Sequence, residues 1–434
     1  MKVKHVLMIA AVLLAMFVAP VVADDTQQTP GPQNMDVGAN VQVSYSFSIP
    51  DSFDFSSATA GTTKEDTVSV DIEHINPNSY VSISVKTKNL WYLNHVSGSG
   101  DRILYEMSVD ETPVANNGVV IAAEESETKD VLFTLKESAK KAGSYKDTLT
   151  FTAEMINVIE VSDVNELNNV LTGSTASGSG NTAISITEDL DLTGISWTPV
   201  TVQGYTGAGV VTINGNEHTI TGLTAPLFSG GFAGKSGIII KDLTIANSDI
   251  VSSSTQGSGA FIQCVDSMQT IVLNNCHLRD STLTGSRTGG LVGWTAGYNN
   301  ENNGPVKLYV TITDCSVKNC EITGQGSVGG IIGHSGGNAW TYTTISNCEV
   351  TGNKLTAIDD GSWRVGVVLG TVNVGEQNDI TSITSSGNTL SQYTDSTMAN
   401  SVTSPGSDNY RDYYGRLSLG STGKLTIDGV SITA

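Results

Sequence analysis

Residues 308–333 read LYVTITDCSVKNCEITGQGSVGGIIG. Ile312 and Cys315 stand three positions apart in this stretch, and both are apolar, so the period-two alternation of a half-buried strand is broken once between them. Asp314 lies at the break, and aspartate is one of the few side chains that accepts a left-handed or Asx-turn backbone. A sharp bend at Asp314 therefore keeps both flanking apolar side chains pointing inward. Val317 and Ile322 continue the apolar set, and the GGIIG cluster at 329–333 closes the unit.

The same register recurs along the second part of the chain. Ile240, Leu273, Ile312, Ile345 and Ile380 are equivalent, at spacings of 33, 39, 33 and 35. Two residues later stand Asp242, Asn275, Asp314, Asn347 and Ser382, followed by Leu243, Cys276, Cys315, Cys348 and Ile383. The further columns are Ile245, Leu278, Val317, Val350 and Ser385, then Ile250, Leu283, Ile322, Leu355 and Leu390. A partial sixth copy ends the chain as Ile427, Gly429, Val430 and Ile432. Indels fall between copies rather than inside them, which is how a solenoid is written when each turn packs only on its neighbours. Short strands joined by single-residue bends at this period predict a parallel β-helix over 181–434. The Thr, Ser, Val, Ile and Gly content disfavours a helical solenoid.

Downstream in the copies lie GAFI at 259–262, GGLVG at 289–293, GGIIG at 329–333 and GVVLG at 366–370. On these residues, with the Asn–Cys pairs at 275–276 and 347–348, the chain from about 160 to 434 resembles the GLUG repeat family of exported microbial surface proteins. The lead-in SWTPVTVQGY at 196–205 and VTINGNEHTITGL at 211–223 resemble the first rung of such proteins. The resemblance implies a right-handed, pectate-lyase-like parallel β-helix in an adhesin-like or surface-layer component. The fourth copy departs from the pattern, with Val365 before a single Gly366, and the fifth shows no GGLVG.

Working outward, Gly usage marks a boundary: residues 1–157 hold seven of the 46 glycines, and residues 158–434 hold the other 39. Alternating stretches at 41–49, 67–72, 80–85, 103–109, 131–135 and 145–153 predict an antiparallel, immunoglobulin-like β-sandwich over 37–157. Residues 158–180 hold a predicted capping helix, SDVNELNNVLTG, with Ser162 or Asp163 as N-cap and Val164, Leu167, Val170 and Leu171 on one face, then a Gly/Ser linker. At the start, Lys2 and Lys4 precede an apolar run of 13 from Val6 to Val18, and small residues precede Asp24. This predicts a signal peptide over 1–23 and a flexible leader over 24–36. The expectation is a secreted or cell-surface protein with no integral membrane span after signal cleavage. Acidic residues number 43 against 22 basic ones, a net charge of −21, which argues against a nucleic-acid partner.

The chemistry-bearing residues are fewer. The cysteine column accepts Leu and Ile, so it reads as packed core. Stacked Cys276, Cys315 and Cys348 remain within reach of a disulfide, and Cys264 and Cys320, off the column, are expected at the surface. No motif calls for a metal or a cofactor, and none is expected. The best catalytic candidates are Asp359, Asp360 and Arg364 in IDDGSWR, two acids beside a guanidinium, as a polysaccharide lyase or glycosidase would need. A binding role draws on other residues. WTAGYNNENNGPVKLY follows Gly293 and HSGGNAWTYT follows Gly333, so Trp294, Tyr298, Trp340 and Tyr342 are expected on one ridge with Trp363 nearby. Aromatic rings among Asn, Ser and Gly suit sugar recognition. A non-catalytic adhesin-like or structural role, with a glycan or a cell-surface protein as partner, is the leading expectation; a carbohydrate-active enzyme is the alternative.

Overall fold

The computed structural model describes residues 43–432 except 90, 111, 115–117, 173–180, 201–209, 230–236, 256, 266–269, 297, 301–303, 307, 337–340, 359–363, 374–376, 395–396, 402–412 and 418–423; the side chains of 298–300, 304–306 and 393–401 also lie outside the description. The expected signal peptide and leader fall outside the described residues. The fold is all-β with one helix among the described residues, and its largest sheet is mixed. The chain divides into two compact units, the first comprising 1–84, 91–114 and 119–155, the second 85–90, 115–118 and 156–434.

In the first unit the alternating stretches form antiparallel pairs. Thr63–His74 lies between Ser44–Ser48 and Glu127–Leu135, which in turn pairs with Arg102–Val109. Val68, Val70, Met107, Val131, Phe133 and Leu135 are buried from these strands, as the alternation requires. The expected strand at 145–153 is split into Tyr145–Lys146 and Leu149–Val161. Its second part runs past the boundary expected at 157, and Val158–Val161 pairs in parallel with Ala183–Ile186.

The second unit pairs copy by copy, in parallel and in the register read from sequence. Ile240 lies opposite Leu273, Leu273 opposite Ile312, Ile312 opposite Ile345 and Ile345 opposite Ile380. The ladder extends in the N-terminal direction through Ile213 to Ile184 and in the C-terminal direction to Ile427. Asp242, Asn275, Asp314, Asn347 and Ser382 all have φ between 51° and 56°, so the residue at each break is left-handed. A second bend follows at Asn247, Asp280, Asn319, Gly352 and Gly387, also at positive φ. Sequence reading passed over it because residues of several types, Lys, Thr and Ala among them, precede it.

Beyond the second bend each copy supplies a strand to a further sheet. Glu321–Gly324 pairs in parallel with Thr282–Gly285 on one side and Lys354–Ala357 on the other. After the glycine-rich cluster, Ile332–Ser335 lies between Val292–Thr295 and Leu369–Val372. The helix Val164–Thr172 carries the expected face: Leu167 and Leu171 are buried in the core of the repeats and Val164 and Val170 pack against it. Asp163 Oδ1 accepts hydrogen bonds from the Asn165 and Glu166 amides, and the Glu166 carboxylate accepts from the Ser162 amide, so three backbone donors are satisfied at the helix start.

Three expectations need correction. Cys264 and Cys320 are buried rather than exposed, at 1% and 3%. Cys320 occupies the position filled in other copies by Ser248, Ser281, Asn353 and Asn388, whose side chains bond between copies, as where the Cys320 amide donates to Asn353 Oδ1. The partial sixth copy does not repeat the others, because Asp428 and Gly429 turn Val430–Ile432 antiparallel onto Lys424–Ile427 and leave Val430 exposed. The fifth copy does have a counterpart of the glycine cluster: Tyr414–Leu417 pairs with Leu369–Val372, and Gly415 follows Tyr414 where the other copies carry a glycine.

Candidate functional site

The glycine clusters are tight corners. A Cβ on Gly289 would run into the backbone of Val292 and of Gly333 in the next copy, so the close approach of neighbouring backbones admits only glycine there. Two corners set side chains beside each other although they stand seven apart in sequence, Arg287 with Trp294 and Ser327 with His334, and at the third corner Arg364 and Thr371, at the same spacing, line one cleft. Trp294, His334, Thr371 and Arg416 face one another down successive copies as registered partners.

These two columns bound a cleft of about 470 Å³. Its lining is polar: Arg287, Arg364 and Arg416 contribute guanidinium groups, Ser286, Ser327 and Thr371 hydroxyls, and Gln325 and Asn373 amides around His334. No carboxylate stands among the described residues that line it. The Arg287 guanidinium lies over the Trp294 ring, 4.8 Å from the centroid, and donates to the Thr255 carbonyl. Trp294 in turn donates its indole N–H to the Gly336 carbonyl and meets His334 edge to face at 6.2 Å.

His334 is held on both ring nitrogens. Nδ1 lies 3.3 Å from Ser327 Oγ and Nε2 lies 3.0 Å from Asn373 Nδ2. Ser327 Oγ is also 2.7 Å from Thr371 Oγ1. With the Asn373 amide donating to Nε2, the proton sits on Nδ1 and points to Ser327, so the ring is neutral. Burial, and then the charges of Arg287, Arg364 and Arg416, push the His334 pKa down to about 3. The site is thus a neutral, ordered imidazole surrounded by fixed positive charge.

The residues expected from sequence are divided among several places. Arg364 lines the cleft, while Asp359, Asp360, Trp340 and Trp363 lie outside the described residues. Trp294 packs against Arg287 and His334 behind the cleft lining, but Tyr342 lies on a different sheet, stacked on Tyr309 at 5.2 Å and 19°. Tyr298 lies in a two-stranded ribbon with Gly304–Val306, and its side chain is outside the description. Sequence reading missed Arg287, His334 and Arg416. The signal was present: the column before the glycine clusters is polar, Arg287, Ser327 and Arg364, and the column after them varies, Trp294, His334, Thr371 and Arg416, while the cluster itself repeats.

All five cysteines are buried thiols not joined in disulfides. Cys276, Cys315 and Cys348 stack as expected, with the Cys276 amide 3.4 Å from Cys315 Sγ. Hydrogen bonding along the stack and burial raise the Cys315 and Cys348 pKa values, and burial pushes Cys320 up to about 11. Among the described residues no group of three or more His, Cys, Asp or Glu side chains is placed to hold a metal ion.

No protein-family profile and no curated protein matches the chain. Among solved structures, one from Bacteroides ovatus named as a candidate immunoglobulin A1 protease is similar over 63% of this chain and 78% of its own, at 18% identity and a TM-score of 0.38. The SRRP of L. reuteri 53608 is similar over 54% of this chain and 99% of its own, at 15% identity and a TM-score of 0.18. The catalytic domain of a GH87 alpha-1,3-glucanase in complex with nigerose is similar over 79% and 88%, at 9% identity and a TM-score of 0.14.

Proposed function

We propose that the chain is an exported, cell-surface protein of adhesin-like or structural type, without catalytic activity. In this reading an immunoglobulin-like sandwich precedes repeats of the GLUG kind that wind as a parallel β-helix. The observation that carries it is the in-register parallel ladder from Ile240 to Ile380, with a left-handed Asp, Asn or Ser at the break in each copy. Such a ladder makes a stiff rod, because each copy satisfies its backbone groups on the next. It also frees the positions flanking the corners to vary, and these supply a binding face for a glycan or a cell-surface protein.

Export rests on the charged start, apolar run and small-residue end of residues 1–23. Cell fractionation of the native protein with N-terminal sequencing tests both parts. The reading expects the chain in the secreted or surface fraction, beginning at Asp24. A cytoplasmic chain that still carries Met1 would refute it.

The position of Arg364 in the cleft favours the alternative, a carbohydrate-active enzyme using Asp359, Asp360 and Arg364. That alternative expects new reducing ends or unsaturated sugars from an acidic polysaccharide, lost in the Asp359→Asn plus Asp360→Asn variant. Product formation unchanged by that variant would remove those acids from consideration.

A further inference from the structure

The chain holds six arginines, and three of them line a single cleft. This concentration runs against the composition, since acidic residues outnumber basic ones by 43 to 22. Placing three guanidinium groups around one space costs mutual repulsion, and an anion seated between them relieves it. We infer that the cleft bounded by Arg287, Arg364 and Arg416 binds the carboxylate or sulfate groups of an acidic glycan. The inference rests on the glycan-binding reading above and specifies its ligand.

Three features point to this class. Guanidinium is planar and offers paired N–H donors, which match a carboxylate or a sulfate and hold it with two parallel bonds. At about 470 Å³ the cleft exceeds a lone ion and suits a sugar residue or two. Among the described residues the remaining lining is mainly hydroxyl and amide, from Ser327, Thr371 and Asn373, which pairs with sugar hydroxyls better than with a lipid or an aromatic ligand. His334 adds a neutral imidazole already bonded on both nitrogens, so it shapes the floor without contributing or removing charge. The acidic remainder of the molecule repels long polyanions such as nucleic acid, and a short-range cluster binds only what enters the cleft.

The test is calorimetric titration of the full chain with four probes: tetragalacturonate, its methyl ester, a sulfated tetrasaccharide and a single-stranded RNA of matched charge. The inference expects saturable binding of tetragalacturonate or of the sulfated sugar, whichever anion the cleft accepts. It expects at least tenfold weaker binding of the neutral ester and of RNA. Arg416→Gln and Arg364→Gln are each expected to weaken the acidic sugar about tenfold or more with an unchanged thermal midpoint, and 0.5 M salt to weaken it likewise. If saccharides bind but the arginine variants do not weaken them, the cleft is overturned while the glycan reading stands. Equal binding of the methyl ester, or preferential binding of RNA, also overturns the inference. If no saccharide binds at all, the glycan reading falls with it.

Discussion

Arg287 and Trp294 flank one glycine-rich corner, and the guanidinium of the first lies over the ring of the second, 4.8 Å from its centroid. The indole therefore offers that face to an arginine, and it positions one of the three charges at the cleft. Its loss should be felt as binding strength, roughly 0.5–2 kcal/mol for a cation–π contact. Trp294→Leu is expected to weaken an acidic saccharide by about three- to tenfold, and Trp294→Phe to keep most of the affinity. Equal affinities for the wild type and both variants would show that Arg287 needs no such support.

His334 links the cleft to acid stability. Its folded pKa is lowered to about 3 by burial and the three arginines, whereas an unfolded histidine titrates near 6.5. Between those values the unfolded chain binds a proton that the folded chain does not. Stability from this group is therefore complete above about pH 6.5 and is lost as pH falls, by up to about 1.4 kcal/mol per pH unit. Urea unfolding of the wild type and His334→Gln at pH 7 and pH 5 reads the difference. The variant should lose about 1–2 kcal/mol less than the wild type over that interval, and identical losses would contradict the assignment.

The left-handed bend at Asp314, φ 56°, makes a sharper demand on residue type than on chemistry. Asp314→Gly should be close to neutral. Asp314→Val should cost about 1–2 kcal/mol, because a β-branched side chain meets the following carbonyl in this conformation. Thermal unfolding of the two variants decides it, and the opposite order would remove the bend from the account.

How much was legible before the structure follows from which signals repeat. The ladder through Ile240, Leu273, Ile312, Ile345 and Ile380 was readable because five copies state the same constraint, and so were the bends at Asp242, Asn275, Asp314, Asn347 and Ser382. The helix at 164–172 was readable from its cap and apolar face. The cleft was not. Arg287 recurs only at Arg364, with Ser327 between them, and His334 and Arg416 share a column with Trp294 and Thr371, so repetition does not mark these positions, and only the corner geometry makes neighbours of 287 and 294. Cys320 was misplaced for a related reason: it sits beside charged Lys318 and Glu321 in sequence, yet the second bend turns it inward against Asn353.

Buried free thiols give a further expectation. Cys264, Cys276, Cys315, Cys320 and Cys348 are all buried and unpaired with one another as disulfides, and the raised pKa values of Cys315, Cys320 and Cys348 keep those groups protonated at neutral pH. The native protein should resist maleimide for hours and take up five equivalents once unfolded in denaturant. Rapid labelling of the native protein, or fewer than five thiols after unfolding without reductant, would contradict the packed column.

The central claim is that equivalent residues stack one copy above another along a single axis. Thr212, Ile239, Val272, Thr311, Thr344 and Asp379 are successive partners on one sheet. At ~4.8 Å per step, spin labels at 212 and 311 should lie roughly 14 Å apart between backbones, and labels at 212 and 379 roughly 24 Å apart. Pulsed dipolar spectroscopy on the two doubly labelled proteins measures this directly. A separation that grows in proportion to the number of copies is the predicted result, and one that stays constant or shrinks between the two pairs would contradict the account.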